Sequence, residues 1–195
     1  LESEVDHFED ELGTYLVKLS SKTLPEKDSH TLSEILHCIG DFERISDHAL
    51  NVSKAAEEMH RKEVHFSEKA QNELKTFGRA IHDILKITML SFSEEDLTLA
   101  KQVEPLEEVI DDLNQEIKQR HVKRLRKGKC TIELGFILSD ITTNLARVSD
   151  HCSNIAVCLL QVSEDEYETH AYLGEVKQKD NMDFQGKVMA YRERY

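Results

Sequence analysis

Residues 43–52 read Glu43-Arg44-Ile45-Ser46-Asp47-His48-Ala49-Leu50-Asn51-Val52, and 103 positions later the pattern returns as Ala146-Arg147-Val148-Ser149-Asp150-His151-Cys152-Ser153-Asn154-Ile155. Arg, Ser, Asp, His and Asn recur at the same offsets, and Ile45 and Val52 are answered by Val148 and Ile155. Polar residues that survive a duplication better than their neighbours point to a duplicated site as well as a duplicated fold. One member is missing, because Glu43 is answered by Ala146.

Both copies lie inside long runs of helical periodicity. Around the first, Leu32, Ile35, Ile39, Phe42, Ile45, Ala49, Val52, Ala56 and Met59 recur at steps of three and four, which places them on one face of a helix reaching about residue 62. Thr31 and Glu34 have the spacing of a capping box at its start, with Leu24 to Ser29 as the loop before it. Upstream, Val5, Phe8, Leu12, Leu16 and Leu19 define a first helix ending near Ser20. Downstream, Ala70, Leu74, Phe77, Ile81, Ile84 and Thr88 mark a third, and Leu97 to Lys127 a fourth, closed by Gly128 and kinked at Pro105. The second copy sits in a fifth helix, from about 131 to 162. Residues 164–181 are acidic and polar and read as a loose segment, and Asp183 to Tyr195 recovers a weak sixth helix.

The expected fold is therefore all-α, with two tandem three-helix bundles over residues 1–92 and 93–195. Composition agrees: seven Gly, two Pro, no Trp and 32% charged residues suit long helices with solvated outer faces. A net charge of -13 would repel a phosphate backbone, which argues against nucleic acid as a partner and towards a cation or a protein. The longest apolar run, Ile155 to Leu160, is far too short for a membrane span. Cys38, Cys130, Cys152 and Cys158 form no CxxC and read as reduced core thiols of a cytoplasmic protein.

Residues four apart on a helix lie above one another, so Glu43 and Asp47 point two carboxylates at one spot. Glu2 and Asp6 repeat that spacing in the first helix and Glu107 and Asp111 in the fourth, 105 positions apart. If the acidic helices pack side by side, four carboxylates converge in the first unit and three in the second, with Asp150 in place of Asp47 and nothing in place of Glu43. Like charges so placed repel and call for a counter-ion, and hard or borderline cations such as iron, manganese, magnesium, calcium or zinc accept oxygen ligands. Against that stands the plainer reading in which Arg44 and Arg147 neutralise the acids as ordinary ion pairs. His48 and His151 follow the aspartates directly and so turn about 100° away, which makes them helix-contact residues rather than ligands. Asn51 and Asn154, one turn on, are hydrogen-bonding groups behind the carboxylates. No nucleophile motif, Gly-rich phosphate loop or H-x-x-x-H is present, so a non-enzymatic role is expected.

Glu43 to Ala49, preceded by Asp41-Phe42, resembles the signature of the PhoU family, usually E-R-I-G-D-H-A; Glu107 to Asp111 and Glu2 to Asp6 resemble its companion helix motif. The opening, from Val5 through Gly13-Thr14-Tyr15 to Leu19, is similar to the PhoU-like tail of bacterial sodium/phosphate cotransporters. The resemblance covers about residues 1–162 and implies two three-helix bundles, acidic motifs that bind metal ions, often multinuclear iron, and a regulatory role in phosphate uptake. Ser46 and Ser149 depart from the signature glycine, and Ala146 removes a ligand position. The expected partners are a membrane transporter domain, in the same chain or separate, and a second copy in a homodimer, at the inner face of the cell membrane; direct phosphate binding is left open. Two other readings stand beside this one: a carboxylate-bridged metal oxidoreductase on a helical bundle, and a metal-free interaction module.

Overall fold

The structure is a computed structural model that describes the backbone of residues 1–164 and 182–195 and the side chains of 1–161 and 182–195. The loose segment expected at 164–181 falls almost wholly outside the described residues. Seven helices are described: α1 (Glu2–Ser20), α2 (Glu26–Arg61), α3 (Glu68–Glu94), α4 (Leu97–Ala100), α5 (Val103–Arg126), α6 (Ile132–Glu164) and α7 (Met182–Arg194). The described fold is all-α, as expected.

The ends of these helices follow local chemistry. Ser67 caps α3 by accepting from the Ala70 N–H, and Asp96 Oδ1 caps α4 through the N–H groups of Thr98 and Leu99, at 2.8 and 3.1 Å. Thr131 Oγ1 accepts from the Leu134 N–H at the start of α6. Gly128, at φ +62°, turns the chain after α5 in the left-handed region that side chains avoid. Two expectations are corrected. Pro25 and the acidic first turn of Glu26 and Asp28 start α2 five residues before Thr31, so Thr31 lies inside the helix and caps nothing. Pro105 makes no kink, because the helix breaks at Lys101 and Gln102 and restarts at Val103; Pro105 thus falls in a first turn, where a missing N–H costs no hydrogen bond.

The two longest helices, α2 and α6, carry the repeated stretches and make the most extensive contact in the fold. α1 lies along α2, and α5 lies along α6 in the matching way. At one point α5 and α6 come so close that a Cβ on Gly135 would stand 2.6 Å from Nε2 of His121. The apolar residues between the helices form one large core that includes Phe77, Ile84, Leu106, Ile110, Leu138, Val148 and Leu160.

The division after residue 92 does not describe the packing. It assigns α3 to α1 and α2, but α3 packs on α6 and α5 and meets α2 only marginally, where Phe92 stands edge-on to Phe42 with ring centroids 4.9 Å apart. An ion pair from Glu73 to Arg124, at 2.8 Å, ties α3 to α5. The reason lies in the side chains facing each site: where α6 offers Leu160 to the core, α2 has the exposed Glu57. The second unit is thus a three-helix bundle of α3, α5 and α6, while α1 and α2 stand as a pair. α7 adds to α5 through Phe184 and Val188 against Val109, and Arg192 pairs with Asp112 at 2.7 Å.

Candidate metal centres

Helix pairing brings the acidic stations together twice. Glu2 and Asp6 from α1 meet Asp47 from α2, and Glu107 and Asp111 from α5 meet Asp150 from α6; in each trio, one carboxylate oxygen per residue lies within 4.8 Å of the others. These are the positions that the sequence repeat equates. Glu43 is not one of the three residues whose oxygens are all that close, but its carboxyl lies beside those of Asp47 and Asp6, within hydrogen-bond reach of Asp47. Arg44 Nε lies 3.4 Å from Glu43 Oε2.

Charge in the first trio is poorly compensated. Burial, and then the neighbouring Glu2, Asp47 and Asp10, push the Asp6 carboxyl above its ordinary range. Burial and the Asp47 charge do the same for Glu43, against the opposing pull of Arg44. One oxygen of Asp6, Oδ1, is shut off from solvent with no hydrogen-bond donor, which leaves a lone pair unmatched. Three hard oxygen donors with one unmatched lone pair suit a divalent cation, which would supply positive charge and link α1 to α2.

The plainer reading has partial support. Arg147 reaches Asp150 at 2.9 Å and Arg44 reaches Asp47 at 3.5 Å, so each aspartate already has a cation beside it. Both arginines are more than half exposed, and exposed pairs of this kind contribute about 0.2 to 1 kcal/mol.

The second trio has a deeper floor. Glu107 is buried, and one turn earlier the buried Glu104 accepts a short hydrogen bond from Ser153 Oγ on α6. Glu104 escaped the sequence reading because Glu-x-x-Glu next to Glu107 looks like one more acid in an acidic chain; its burial is the distinguishing signal and comes only from packing.

His48, His151, Asn51 and Asn154 lie at the crossing of α2 and α6. Nδ1 of His48 is 2.9 Å from Oδ1 of Asn144, which also accepts from Asn51 Nδ2 at 3.2 Å. The mirror set is His151 Nδ1 at 2.7 Å and Asn154 Nδ2 at 3.0 Å from Oδ1 of Asp41. The two imidazoles stack, centroids 5.5 Å apart. These four residues therefore lock one repeat to the other beside the carboxylates. Asp41 and Asn144 were missed, although a signal existed: they occupy one station of the repeat, seven positions before each histidine.

Residues 1–56 and 74–159 match the PhoU domain family, two stretches that correspond to α1 with α2 and to α3 through α6. The chain is 29% identical over 121 residues to a "Phosphate-specific transport system accessory protein PhoU homolog 1" of Thermotoga maritima, covering 62% of this chain and 51% of that protein. A "Phosphate-specific transport system accessory protein PhoU homolog" of Synechocystis sp. is 25% identical over 161 residues, 80% of this chain and 68% of the relative. An uncharacterized protein of Deinococcus radiodurans is 23% identical over 161 residues, 80% of this chain and 56% of its own. The chain thus spans about half to two thirds of the length of these relatives.

Proposed function

Because this chain belongs to the PhoU family, we propose that it is a regulatory, metal-binding helical domain that modulates phosphate transport or phosphate signalling. Its place is the cytoplasmic side of a sodium-dependent phosphate transporter, as part of that chain or as its partner; no described helix is long and apolar enough to cross a membrane. The reading rests above all on one observation, the recurrence of a three-carboxylate cluster at equivalent stations of both repeats. Iron is favoured by the family resemblance, and manganese, magnesium and zinc also accept carboxylate oxygens as ligands.

The chemistry supports a structural and regulatory ion. Each trio joins two helices, so a cation there sets how firmly α1 holds to α2 and α5 to α6, and linkage makes helix docking depend on cation concentration. Asp111 is exposed and the first trio half-exposed. Oxygen-activating metal oxidoreductases need a protected cavity with open coordination positions, so this exposure favours a regulatory role over a redox enzyme. The test is phosphate uptake by cells that carry the full-length protein with Asp47→Ala and Asp150→Ala together. Uptake is expected to lose its response to external phosphate while the helical fold is kept; an unchanged response would remove the trios from regulation.

A further inference from the structure

Two of the four cysteines meet where α2 crosses α6. Cys38 lies on α2 and is completely buried, and Cys158 lies on α6 and is half-buried. Cys158 Sγ stands 3.9 Å from the backbone oxygen of Glu34, the helix carbonyl one turn before Cys38, and the two thiols hydrogen-bond to each other. The other two cysteines are placed differently. Cys130 follows the turn after α5, with its sulfur 3.7 Å from Nδ1 of His121, and Cys152 is sealed in the core, where burial pushes its thiol up to about 12.

The repeat indicates that packing alone does not call for sulfur at this contact. The stations that answer Cys38 and Cys158, by the same offset of 103, are Ile141 and Ala55, and both are buried in the apolar core. An ordinary apolar pair thus serves at the equivalent place, whereas here each repeat contributes a thiol.

We propose that Cys38 and Cys158 form an oxidation site for a hydroperoxide, which closes them into a disulfide that joins one repeat to the other. Cys158 is the sulfur that an oxidant can reach. The hydrogen bond from Cys38 holds its thiol below the usual range, against burial and the nearby Glu34 and Asp41, and the thiolate is the form that reacts. The same hydrogen bond, and then burial, push the Cys38 thiol up, so Cys38 acts second. In the first step the Cys158 sulfur attacks one peroxide oxygen and the O–O bond breaks. The other oxygen leaves as water or an alcohol, and the sulfur, having given up two electrons, becomes a sulfenic acid. Cys38 then attacks that sulfur: the S–S bond forms, the S–O bond breaks, and the hydroxyl leaves as water with the proton of Cys38. Two thiols and one hydroperoxide give one disulfide, one water and one further water or alcohol. Sulfurs already in hydrogen-bond contact need only side-chain rotation to reach a bond of about 2.05 Å. The inference stands apart from the metal reading, because neither cysteine belongs to a carboxylate trio.

In the test, the reduced intact protein is treated with hydrogen peroxide, the remaining thiols are alkylated in denaturant, and the peptides are mapped by mass. The expected result is one linked pair of peptides carrying Cys38 and Cys158, loss of two of the four alkylatable thiols, and full recovery with dithiothreitol. Cys38→Ala should leave Cys158 as a sulfenic acid that dimedone captures. Cys158→Ser, at the more open position, should slow the oxidation of Cys38 at least about tenfold. The oxidised chain should also unfold at a higher urea concentration than the reduced one. Cys38 and Cys158 that both stay alkylatable at a peroxide dose that consumes free glutathione would overturn the proposal. So would a disulfide that forms as fast in urea, where no fold brings the sulfurs together, or one that links Cys158 of two molecules.

Discussion

The first repeat, α1 with α2, and the second, α3 with α5 and α6, carry the same polar stations but unequal amounts of core. Asp47 and Asp150, His48 and His151, Asn51 and Asn154 all find equivalent partners, whereas the apolar stations around them are exposed in one repeat and sealed in the other. The polar register of this fold is therefore set by the crossing of α2 and α6 and by the acidic helix beside each, and does not need the third helix. What the third helix adds is burial. Most of the hydrophobic free energy of folding should accordingly lie in the second repeat, with the first held by α2's contact with α6.

The largest effect that could break this comparison is a truncation in each core. Phe77→Ala removes a fully buried ring and should cost about 3 to 5 kcal/mol in denaturant unfolding, whereas Phe8→Ala at the matching face should cost less than about 0.5 kcal/mol. Equal losses would mean that Phe8 is covered in solution. Next is the serine that stands at the signature glycine. Ser149 is buried and its hydroxyl has no hydrogen-bond partner, while Ser46 is half-buried. Ser149→Ala should thus raise stability by about 1 kcal/mol and Ser46→Ala should leave it nearly unchanged, as read by thermal or urea unfolding.

A smaller effect separates the repeats by pH. Asp6 and Glu43 are both raised in the fold, so protonation favours the folded state. Their contribution is complete below the ordinary carboxylate range and is lost as pH climbs through the raised values. Exchange protection of α1 in the cation-free chain should therefore increase as pH falls from neutral into the carboxylate range, and stabilisation by added cation should shrink over the same interval. Protection that instead decreases with falling pH would show that ion pairs to Arg44 dominate the cluster.

Much of this was legible in the sequence. The matched stretches at 43–52 and 146–155 placed both long helices, and the offsets of Glu2, Asp6, Glu107 and Asp111 anticipated which carboxylates meet. The grouping of helices was not legible, because chain order suggests that α3 belongs with the helix before it. The deciding contrasts, Glu57 against Leu160 and Ser53 against Ala156, acquire meaning only once α2 and α6 are aligned. Local rules misplaced the start of α2 for a related reason: Thr31 and Glu34 have capping-box spacing, but Pro25 and two early acids outcompete them. Asp41 and Asn144 stayed hidden because a single acceptor acquires a role only when the opposite helix brings a histidine and an asparagine to it.

Whether each carboxylate trio holds a cation is decided by the metal-to-protein ratio after chelation and reloading with iron, manganese, magnesium or zinc. Asp47→Ala should lower the metal content, Asp111→Ala or Asp150→Ala should lower it independently, and a variant carrying Asp47→Ala with Asp150→Ala should take up none, with helicity kept throughout. Metal content in the wild-type chain no higher than in that double variant would rule out cation sites at the trios and leave them as solvated acids paired with Arg44 and Arg147.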